Sequence, residues 1–225
     1  MRRAIEAIAI DGPSGAGKTS LAQALAQKLG LRYMDTGAMY RAYGAAALER
    51  GLDTHSPEAA EELLRECKIS LDYDQGEQIT RINGKDMRPY LRTPEVARAA
   101  SDLSALPLIR MALVSFQQAL ASEHAYVLEG RDIGTVVLPD ATVKIFLTAS
   151  QDCRVARRMK QYEETGQSKS AAEIEEEIAY RDKQDSERAM SPLRPAPDAL
   201  IIDTSDLSFQ ESLDLILEMI ANRED

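Results

Sequence analysis

The sequence predicts an α/β fold in which a parallel sheet of five strands is covered by helices on both faces. Segments of helical periodicity alternate with five short apolar runs of β type, at residues 4–10, 31–34, 125–128, 142–147 and 200–203. Such alternation favours parallel pairing, because each helix returns the chain to the edge of the sheet where the next strand starts. A chain of 225 residues suits one large domain, or a core that carries a small insertion.

The first half of the chain supplies two of these strands and three helices. A helix over residues 18–29 is indicated by three leucines at helical spacing, and Gly30 suits its C-terminal end. Further helices are predicted over about residues 38–50 and 57–66, the second of which begins with a proline.

Residues 64–103 interrupt the series and are predicted to form an inserted subdomain. Apolar and polar residues alternate on either side of the turn sequence DQG at 74–76, and NG at 83–84 leads towards a third short strand. This pattern predicts a small antiparallel sheet. The series then resumes, with helices predicted at residues 107–122, 151–165, 171–188 and 208–222 and a polar joint at 167–170.

Composition excludes several classes of function. The net charge of −10 argues against a nucleic-acid-binding surface. Cys67 and Cys153 are too few for a disulfide framework, lie in no zinc-binding spacing and receive no role. No run approaches the ~20 apolar residues of a membrane-spanning helix, and Glu6 interrupts the short apolar run near the N-terminus. We expect a cytoplasmic protein with no nucleic-acid or membrane partner, and a monomer by default.

Residues 12–19, GPSGAGKT, match the phosphate-binding loop G-x-x-x-x-G-K-[ST] between the first strand and the first helix. Glycines let successive N–H groups point at phosphate oxygens, and the helix adds the positive end of its dipole. Lys18 would reach the β- and γ-phosphates of ATP, and the Thr19 hydroxyl would bind Mg²⁺. We expect an exposed loop and a three-layer P-loop core. The predicted ATP-binding residues are Gly12, Pro13, Ser14, Gly15, Ala16, Gly17, Lys18, Thr19 and Ser20.

The loop alone leaves the acceptor open, because kinases, switch GTPases, motors and regulatory ATPases all use it. The sequence lacks the guanine-reading N-K-x-D motif of a GTPase, and the basic track and hydrophobic-D-E strand of a nucleic-acid-dependent ATPase. Kinases for other small acceptors such as UMP, AMP or a polyol remain alternatives, as does an ATP-binding module without turnover.

Two predicted helices near the C-terminal end carry charged stripes. The stripes lie at i, i+3, i+4 and at i, i+4, i+7, and consist of Arg154, Arg157 and Arg158, then Arg181, Asp185 and Arg188. Like charges at this spacing repel unless an anion lies between them. Solvated faces are the simpler explanation for an isolated helix. Downstream of a phosphate-binding loop, we interpret them as a lid that closes over a triphosphate.

The predicted domain organisation follows from the insertion and the lid. The whole chain is expected to be one kinase domain. Its core comprises about residues 1–63, 104–150 and 189–225, with the insertion at 64–103 and the lid at 151–188.

A further charged pair follows the strand at residues 125–128. Arg131 and Asp132 lie just beyond its carboxyl end, where open α/β sheets bind ligands, and Asp35 and Arg41 occupy a comparable position after the second strand. An acceptor that is itself a phosphate is already ionised, so it needs no general base and relies on positioning and charge neutralisation. The two histidines stand in no motif, which fits such an acceptor.

Several motifs in order give the chain a resemblance to a known family. They are IDGPSGAGKT at 10–19, DTGAMYR at 35–41, EVARAAS at 95–101, EGRDIGTVVLPDA at 129–141, VKIFLTAS at 143–150 and YRDKQDSERAMSP at 180–192. Over about residues 7–208 the chain resembles the bacterial cytidylate kinase (CMP kinase) family of nucleoside monophosphate kinases, in the P-loop NTPase superfamily. The resemblance implies a P-loop core, a mobile lid, an inserted sheet, and phosphorylation of CMP and dCMP by ATP with Mg²⁺.

The resemblance also implies which residues bind the acceptor. They are Thr36, Tyr40, Arg41, Ser101, Arg110, Arg131, Asp132, Arg181, Asp185 and Arg188. Ser101, Arg110 and Asp132 would read cytosine, because a hydroxyl, a cation and a carboxylate suit its O2, its N3 and the N4 amino group that uracil lacks. Arg131 would hold the acceptor phosphate, while Arg181 and Asp185 would lie at the sugar.

The catalytic residues that the resemblance implies are Lys18, Arg131, Arg158 and Arg188, and Arg157 is implied at ATP. Two positions depart from the family pattern: Thr19 stands where many relatives carry glycine, and Thr36 stands where serine is common. The sequence shows no clear Walker B aspartate, the residue that would support Mg²⁺ beside Thr19. Asp35 and Asp132 are the candidates for a water-mediated role there, and Asp102 receives no role.

Overall fold

The computed structural model describes residues 6–164 and 166–222 of the chain. Its strands are β1 (Ala7–Asp11), β2 (Arg32–Asp35), β3 (Ile69–Asp74), β4 (Glu77–Ile82), β5 (Lys85–Asp86), β6 (Tyr126–Glu129), β7 (Val143–Thr148) and β8 (Leu200–Asp203). Its helices are α1 (Lys18–Leu29), α2 (Thr36–Arg50), α3 (Pro57–Glu66), α4 (Pro94–Ala105), α5 (Pro107–Ala121), α6 (Gln151–Glu164), α7 (Ala171–Glu187) and α8 (Phe209–Ala221). Short 3₁₀ and π turns occur at Arg88–Tyr90 and Ile133–Val137.

Five parallel strands form the main sheet in the order β2-β6-β1-β7-β8. The central strand is β1, in which Ile8 pairs with Val127 of β6 and with Val143 of β7. The predicted five-stranded parallel sheet is therefore confirmed. Residues 4–5, which the prediction included in the first strand, lie outside the described residues.

Both faces of this sheet are buried against helices. On one face Ile8 packs with Leu25 of α1 and Ile216 of α8. On the other, Ala9 belongs to a cluster that includes Met39 of α2. Successive side chains of a strand point to opposite faces, so a strand buried on both faces is apolar without interruption, as β1 is from Ala7 to Ile10.

The strands β3, β4 and β5 form a separate antiparallel sheet, which confirms the predicted hairpin and its third strand. Each two-residue turn pairs a residue of positive φ, Gln75 or Asn83, with a glycine of positive φ, as tight hairpin turns require. The side chain of Gln78 in β4 accepts from Asp35 N at 2.8 Å and donates to Asp35 O at 3.1 Å. These two bonds fix the small sheet against the end of β2.

Helix α4 begins inside the segment 64–103 predicted as an insertion, where no such helix was predicted, and ends two residues beyond it, and it packs closely on α2. A Cβ atom added to Gly44 of α2 would lie 2.9 Å from Ala100 N and 3.0 Å from Val96 O. The two backbones therefore approach more closely than a side chain at residue 44 would allow. Thr93 caps α4 by accepting from Val96 N, and Pro94 occupies the first turn.

The helices α6 and α7 occupy the segment predicted as a lid, and we call them the lid helices. A capping box between Ser170 and Glu173 begins α7 directly after the polar joint. Thr165, the last residue of the predicted helix 151–165, lies outside the described residues. The two helices form an apolar cluster of their own, from Val155, Tyr162, Ile174 and Ile178.

No single helix within residues 6–164 and 166–222 is long and apolar enough to cross a membrane. Helices α4 and α5 reach that length and composition only as a pair, which is bent by 94°.

Candidate active site

The loop at residues 12–19 connects β1 to α1, as predicted. Gly12 has a φ of 146°, and a Cβ atom there would lie 2.1 Å from the carbonyl oxygen of Leu147 in β7. Gly17, at the N-cap of α1, has a φ of 89°. Residues with side chains rarely adopt these angles, so both glycines are needed for the loop to turn its N–H groups inward.

Lys18 is buried, which corrects the expectation of an exposed loop. Its side chain is 6% exposed, and Nζ donates to Pro13 O at 2.7 Å. Burial and the nearby cations Arg131 and Arg181 together lower the pKa of Lys18 to about 7, against the opposing charge of Glu129. The lysine is thus held within the loop in a position where a bound anion would stabilise its charge.

Glu129, which sequence reasoning missed, is the carboxylate that contacts the predicted Mg²⁺ ligand. Thr19 Oγ1 donates to Glu129 Oε2 at 3.0 Å, and the hydroxyl of Tyr33 donates to Oε1. Burial raises the pKa of Glu129, and the charge of Asp35 raises it further. The available signal was an acidic residue at the carboxyl end of a buried strand.

The two carboxylates that the sequence suggested for Mg²⁺ have other partners. Asp35 caps α2 through Ala38 N and bonds to Arg41 Nη2 at 2.5 Å, while Asp132 bonds to Arg110 at 2.7 Å. Mg²⁺ prefers oxygen ligands, and the hydroxyl of Thr19 beside the carboxylate of Glu129 fits that preference.

A second part of the site is a buried polar group around Arg110. Arg110 is only 2% exposed. Its Nη1 donates to Asp132, and its Nε donates to Ser104 O at 3.0 Å. Its guanidinium also lies 5.5 Å from the centre of the Tyr40 ring. Ser101 Oγ is buried nearby with no hydrogen-bond partner in the described part of the chain. Buried polar groups are rarely left unpaired, so this hydroxyl suits a ligand that supplies a polar atom.

An arginine that follows β6 and an arginine of α7 line the cavity as well. Arg131 Nε bonds to Asp185 Oδ2 at 2.6 Å, and Arg181 Nη1 donates to Ser14 Oγ of the loop at 3.1 Å. Although burial opposes it, the charges of Arg131, Arg181 and Arg188 hold the pKa of Asp185 below its ordinary value. Burial and the charge of Arg131 lower the pKa of Arg181 to about 10. The carboxylate of Asp185 therefore lies among three cations and offsets part of their mutual repulsion.

Arg188 completes this group from the end of α7. It reaches Asp185 Oδ1 at 3.4 Å, and its Nη2, 3.6 Å from Asp132 Oδ1, is buried without a hydrogen-bond partner in the described residues. Arg188 therefore links Asp185, which is predicted to lie at the sugar, to Asp132, which is predicted to read the base.

The three arginines of α6 have different surroundings. Arg154 bonds to Asp182 of α7 at 2.6 Å and to Ser14 O at 3.2 Å, and it does not line the cavity. Arg157 donates to the Thr204 hydroxyl at 2.9 Å and to Thr204 O at 2.7 Å. Arg158 lies over the ring of Tyr162 and lines the cavity. Arg154 therefore joins the two lid helices, whereas Arg157 and Arg158 line the cavity.

One cavity of about 530 Å³ brings most of the predicted site residues together. Apart from Gly12 and Pro13, every residue predicted to bind ATP or the acceptor lines it. Lining residues that the sequence did not single out include Glu129, Thr204, Leu207 and Phe209. Nine lysine and arginine side chains and five acidic ones line the cavity, in a chain whose net charge is −10. Such a local excess of positive charge attracts polyanions.

Comparison with known proteins connects this geometry to a family. The sequence model of the family described as cytidylate kinase matches residues 8–222. A cytidylate kinase of Thermotoga neapolitana is 45% identical over 217 residues, which cover 96% of this chain and 97% of that protein. A cytidylate kinase of Geobacillus kaustophilus is 45% identical over 223 residues, 99% of each chain. This chain also shares its fold with the crystal structure of an uncharacterized protein from Eubacterium ventriosum. The match has a TM-score of 0.51 at 13% identity and covers 96% of this chain and 98% of the Eubacterium chain.

Proposed function

Since this chain belongs to the cytidylate kinase family, we propose that it transfers the γ-phosphoryl group of ATP to the phosphate of CMP or dCMP. The products are ADP and CDP or dCDP. One observation carries the proposal: a single cavity is lined both by the phosphate-binding loop and by the buried group Ser101, Arg110 and Asp132.

The donor end is supported by the loop and the lid. Successive N–H groups of residues 12–19 would bind the phosphates of ATP, with Lys18 at the β- and γ-phosphates. Arg157 and Arg158 line the cavity from α6 and would meet the triphosphate when the lid helices close. Mg²⁺ bound with ATP would neutralise charge on the phosphates, and Thr19, with Glu129 behind it, would hold the ion.

The acceptor end is supported by complementary polar groups. The carboxylate of Asp132 would accept from the N4 amino group of cytosine, and the unpaired hydroxyl of Ser101 would meet another polar atom of the base. Uracil presents a carbonyl oxygen where cytosine presents the amino group. A carboxylate repels that oxygen, so the same residue that favours cytosine disfavours uracil.

The phosphoryl transfer itself needs no general base, because the acceptor phosphate is ionised at neutral pH. Its demands are position and charge neutralisation. Arg131 and Arg188 line the cavity and both contact Asp185, and they would neutralise charge where the acceptor phosphate approaches the γ-phosphate. Asp185 holds Arg131 at 2.6 Å and thereby orients a cation towards that point.

An acceptor profile tests the function. Release of ADP is measured with CMP, dCMP, UMP, AMP and shikimate at equal concentrations, with Mg²⁺ and ATP. We expect CMP and dCMP to be the best acceptors. A higher kcat/KM for UMP, AMP or shikimate would contradict the base-reading assignment, and ATP binding without turnover on any acceptor would leave only a binding module.

A further inference from the structure

A hydrogen bond outside the substrate cavity joins the lid to helix α4. The hydroxyl of Tyr180 in α7 donates to Asp102 Oδ1 in α4 at 2.5 Å. Neither residue lines the cavity of about 530 Å³. In the described part of the chain, no other side-chain hydrogen bond connects α4 with α7.

Asp102 is fixed from the side opposite the lid. Its side chain is only 5% exposed, and Oδ2 accepts from Thr54 Oγ1 at 3.0 Å and lies 3.4 Å from His55 Nε2. A buried carboxylate is costly unless it has such partners. The loop between α2 and α3 therefore holds this acceptor in place whether or not the lid contacts it.

Tyr180 is also held in position on its own side. The guanidinium of Arg98 in α4 lies 4.7 Å from the centre of its ring, and Gln184 Nε2 donates to its hydroxyl at 3.1 Å. The tyrosine therefore presents its ring to one residue of α4 and its hydroxyl to another.

The rest of the contact between α4 and α7 is open. A second cavity of about 670 Å³ runs between them, lined by charged side chains such as Glu95, Glu176 and Lys183. The apolar cluster of the lid helices lies within the lid itself. Within the described residues, the Tyr180 hydroxyl is therefore the side-chain hydrogen-bond donor that holds α7 to α4 beside this cavity.

Both partners are next to residues of the proposed site in sequence. Asp102 follows Ser101, whose hydroxyl is unpaired in the acceptor end of the cavity. Tyr180 precedes Arg181, which reaches Ser14 of the phosphate-binding loop. One bond thus connects the helix that carries Ser101 with the helix that carries Arg181 and Asp185, which are all predicted acceptor-binding residues.

We propose that Tyr180 and Asp102 are positioning residues whose hydrogen bond holds α7 over the acceptor site and so sets Arg181 and Asp185 in place for phosphoryl transfer. The inference rests on the proposed kinase activity. Displacement of a catalytic group by even 1 Å lowers rates strongly. We therefore expect loss of the hydrogen bond to lower kcat and to raise the KM for CMP. The KM for ATP depends on the loop, which the bond does not touch.

The test compares two tyrosines of the lid helices. Tyr180→Phe removes the hydroxyl that reaches α4 and keeps the ring against Arg98. Tyr162→Phe is the matched control, because its hydroxyl bonds to Glu177 within the lid. We expect Tyr180→Phe to lower kcat/KM for CMP about tenfold, the order expected for losing one hydrogen bond to a charged group, with the KM for ATP changed less than twofold. Tyr162→Phe should keep the kcat of the wild type.

Two further measurements separate positioning from general destabilisation. In hydrogen exchange, adding CMP and ATP should protect residues 171–187 in the wild type and in Tyr162→Phe, and less in Tyr180→Phe. In a double-mutant cycle, Asp102→Ala should cost little more once Tyr180→Phe is present.

The outcomes are distinct. Equal kinetics and equal protection in the two tyrosine variants, or fully additive losses in the cycle, would overturn the inference while the wild type still phosphorylates CMP. A wild type that does not prefer CMP and dCMP would instead overturn the proposed function.

Discussion

The hydroxyl of Thr19 donates a 3.0 Å hydrogen bond to Oε2 of Glu129, although 110 residues separate the two in sequence. The bond exists because β6 lies beside β1 in the sheet, with Ile10 opposite Glu129. The carboxyl end of β6 therefore stands next to the start of α1. This relationship gives the proposed Mg²⁺ site its carboxylate.

Glu129→Gln should weaken the use of Mg²⁺. The amide keeps the volume and an acceptor for Thr19, yet it removes the negative charge behind the metal ligand. Loss of such a supporting group commonly costs about 10- to 100-fold in metal affinity or activity. Titrating Mg²⁺ at fixed ATP and CMP should show a higher half-saturating concentration, and Thr19→Val should shift it in the same direction. An unchanged Mg²⁺ dependence in Glu129→Gln would separate this carboxylate from the metal.

Lys18 should take up a proton when ATP binds above neutral pH. Burial and neighbouring cations lower its pKa to about 7, so at pH 8 much of it is neutral, and bound phosphates would restore the ammonium form. Calorimetry at pH 8 in two buffers of different ionisation enthalpy should give heats that differ by the uptake of a fraction of a proton.

Lys18→Ala supplies the control for that proton uptake. This variant should lose turnover, keep its unfolding midpoint within a few degrees, and show no buffer dependence from this group. Retained turnover in the alanine variant would remove the lysine from the mechanism.

Asp132→Asn should reduce the preference for CMP over UMP by about tenfold or more, because the amide can donate to the carbonyl oxygen that the carboxylate repels. Asparagine is preferable to alanine here, since Arg110 is 2% exposed and would be left without its partner, at a cost of about 3–5 kcal/mol. The ratio of kcat/KM for the two acceptors and the KM for ATP are the measurements. Equal losses for CMP and UMP would argue against base reading by Asp132.

Asp11→Asn should change how stability depends on pH. Asp11 accepts from Ile133 N and Gly134 N at 2.8 Å each, and burial raises its pKa from 3.8 to about 6, with a further contribution from the charge of Asp132. The folded protein therefore binds this proton more tightly than the unfolded chain does. The stabilisation is fully present below pH 3.8 and is lost as the pH rises through 6.

Asparagine does not titrate, so the wild type should lose roughly 2–3 kcal/mol of unfolding free energy relative to Asp11→Asn between pH 4 and pH 7. Urea unfolding at four pH values measures the difference between the two proteins. A difference that stays constant with pH would contradict the raised pKa.

Local patterns were sufficient for much of the fold. The glycine spacing of residues 12–19, the periodicity of the helices and the turns at 74–76 and 83–84 each depend on neighbours in sequence, and the structure has the predicted loop, helices and small sheet. Helix α4 was missed, although Thr93 and Pro94 are a cap and first-turn signal. The predicted domain boundaries remain predictions.

The sequence by itself determined the phosphate-binding loop, the parallel sheet and the arginine-bearing lid helices, because glycine spacing and periodicity are written in adjacent residues. Only the tertiary structure decided which charges meet. Glu129 reaches Thr19 through the strand order, Arg154 turns to Asp182 instead of the cavity, and Tyr180 meets Asp102 across two helices. These pairs span 28 to 110 residues. Their contacts depend on sheet order and helix packing, which no local pattern specifies.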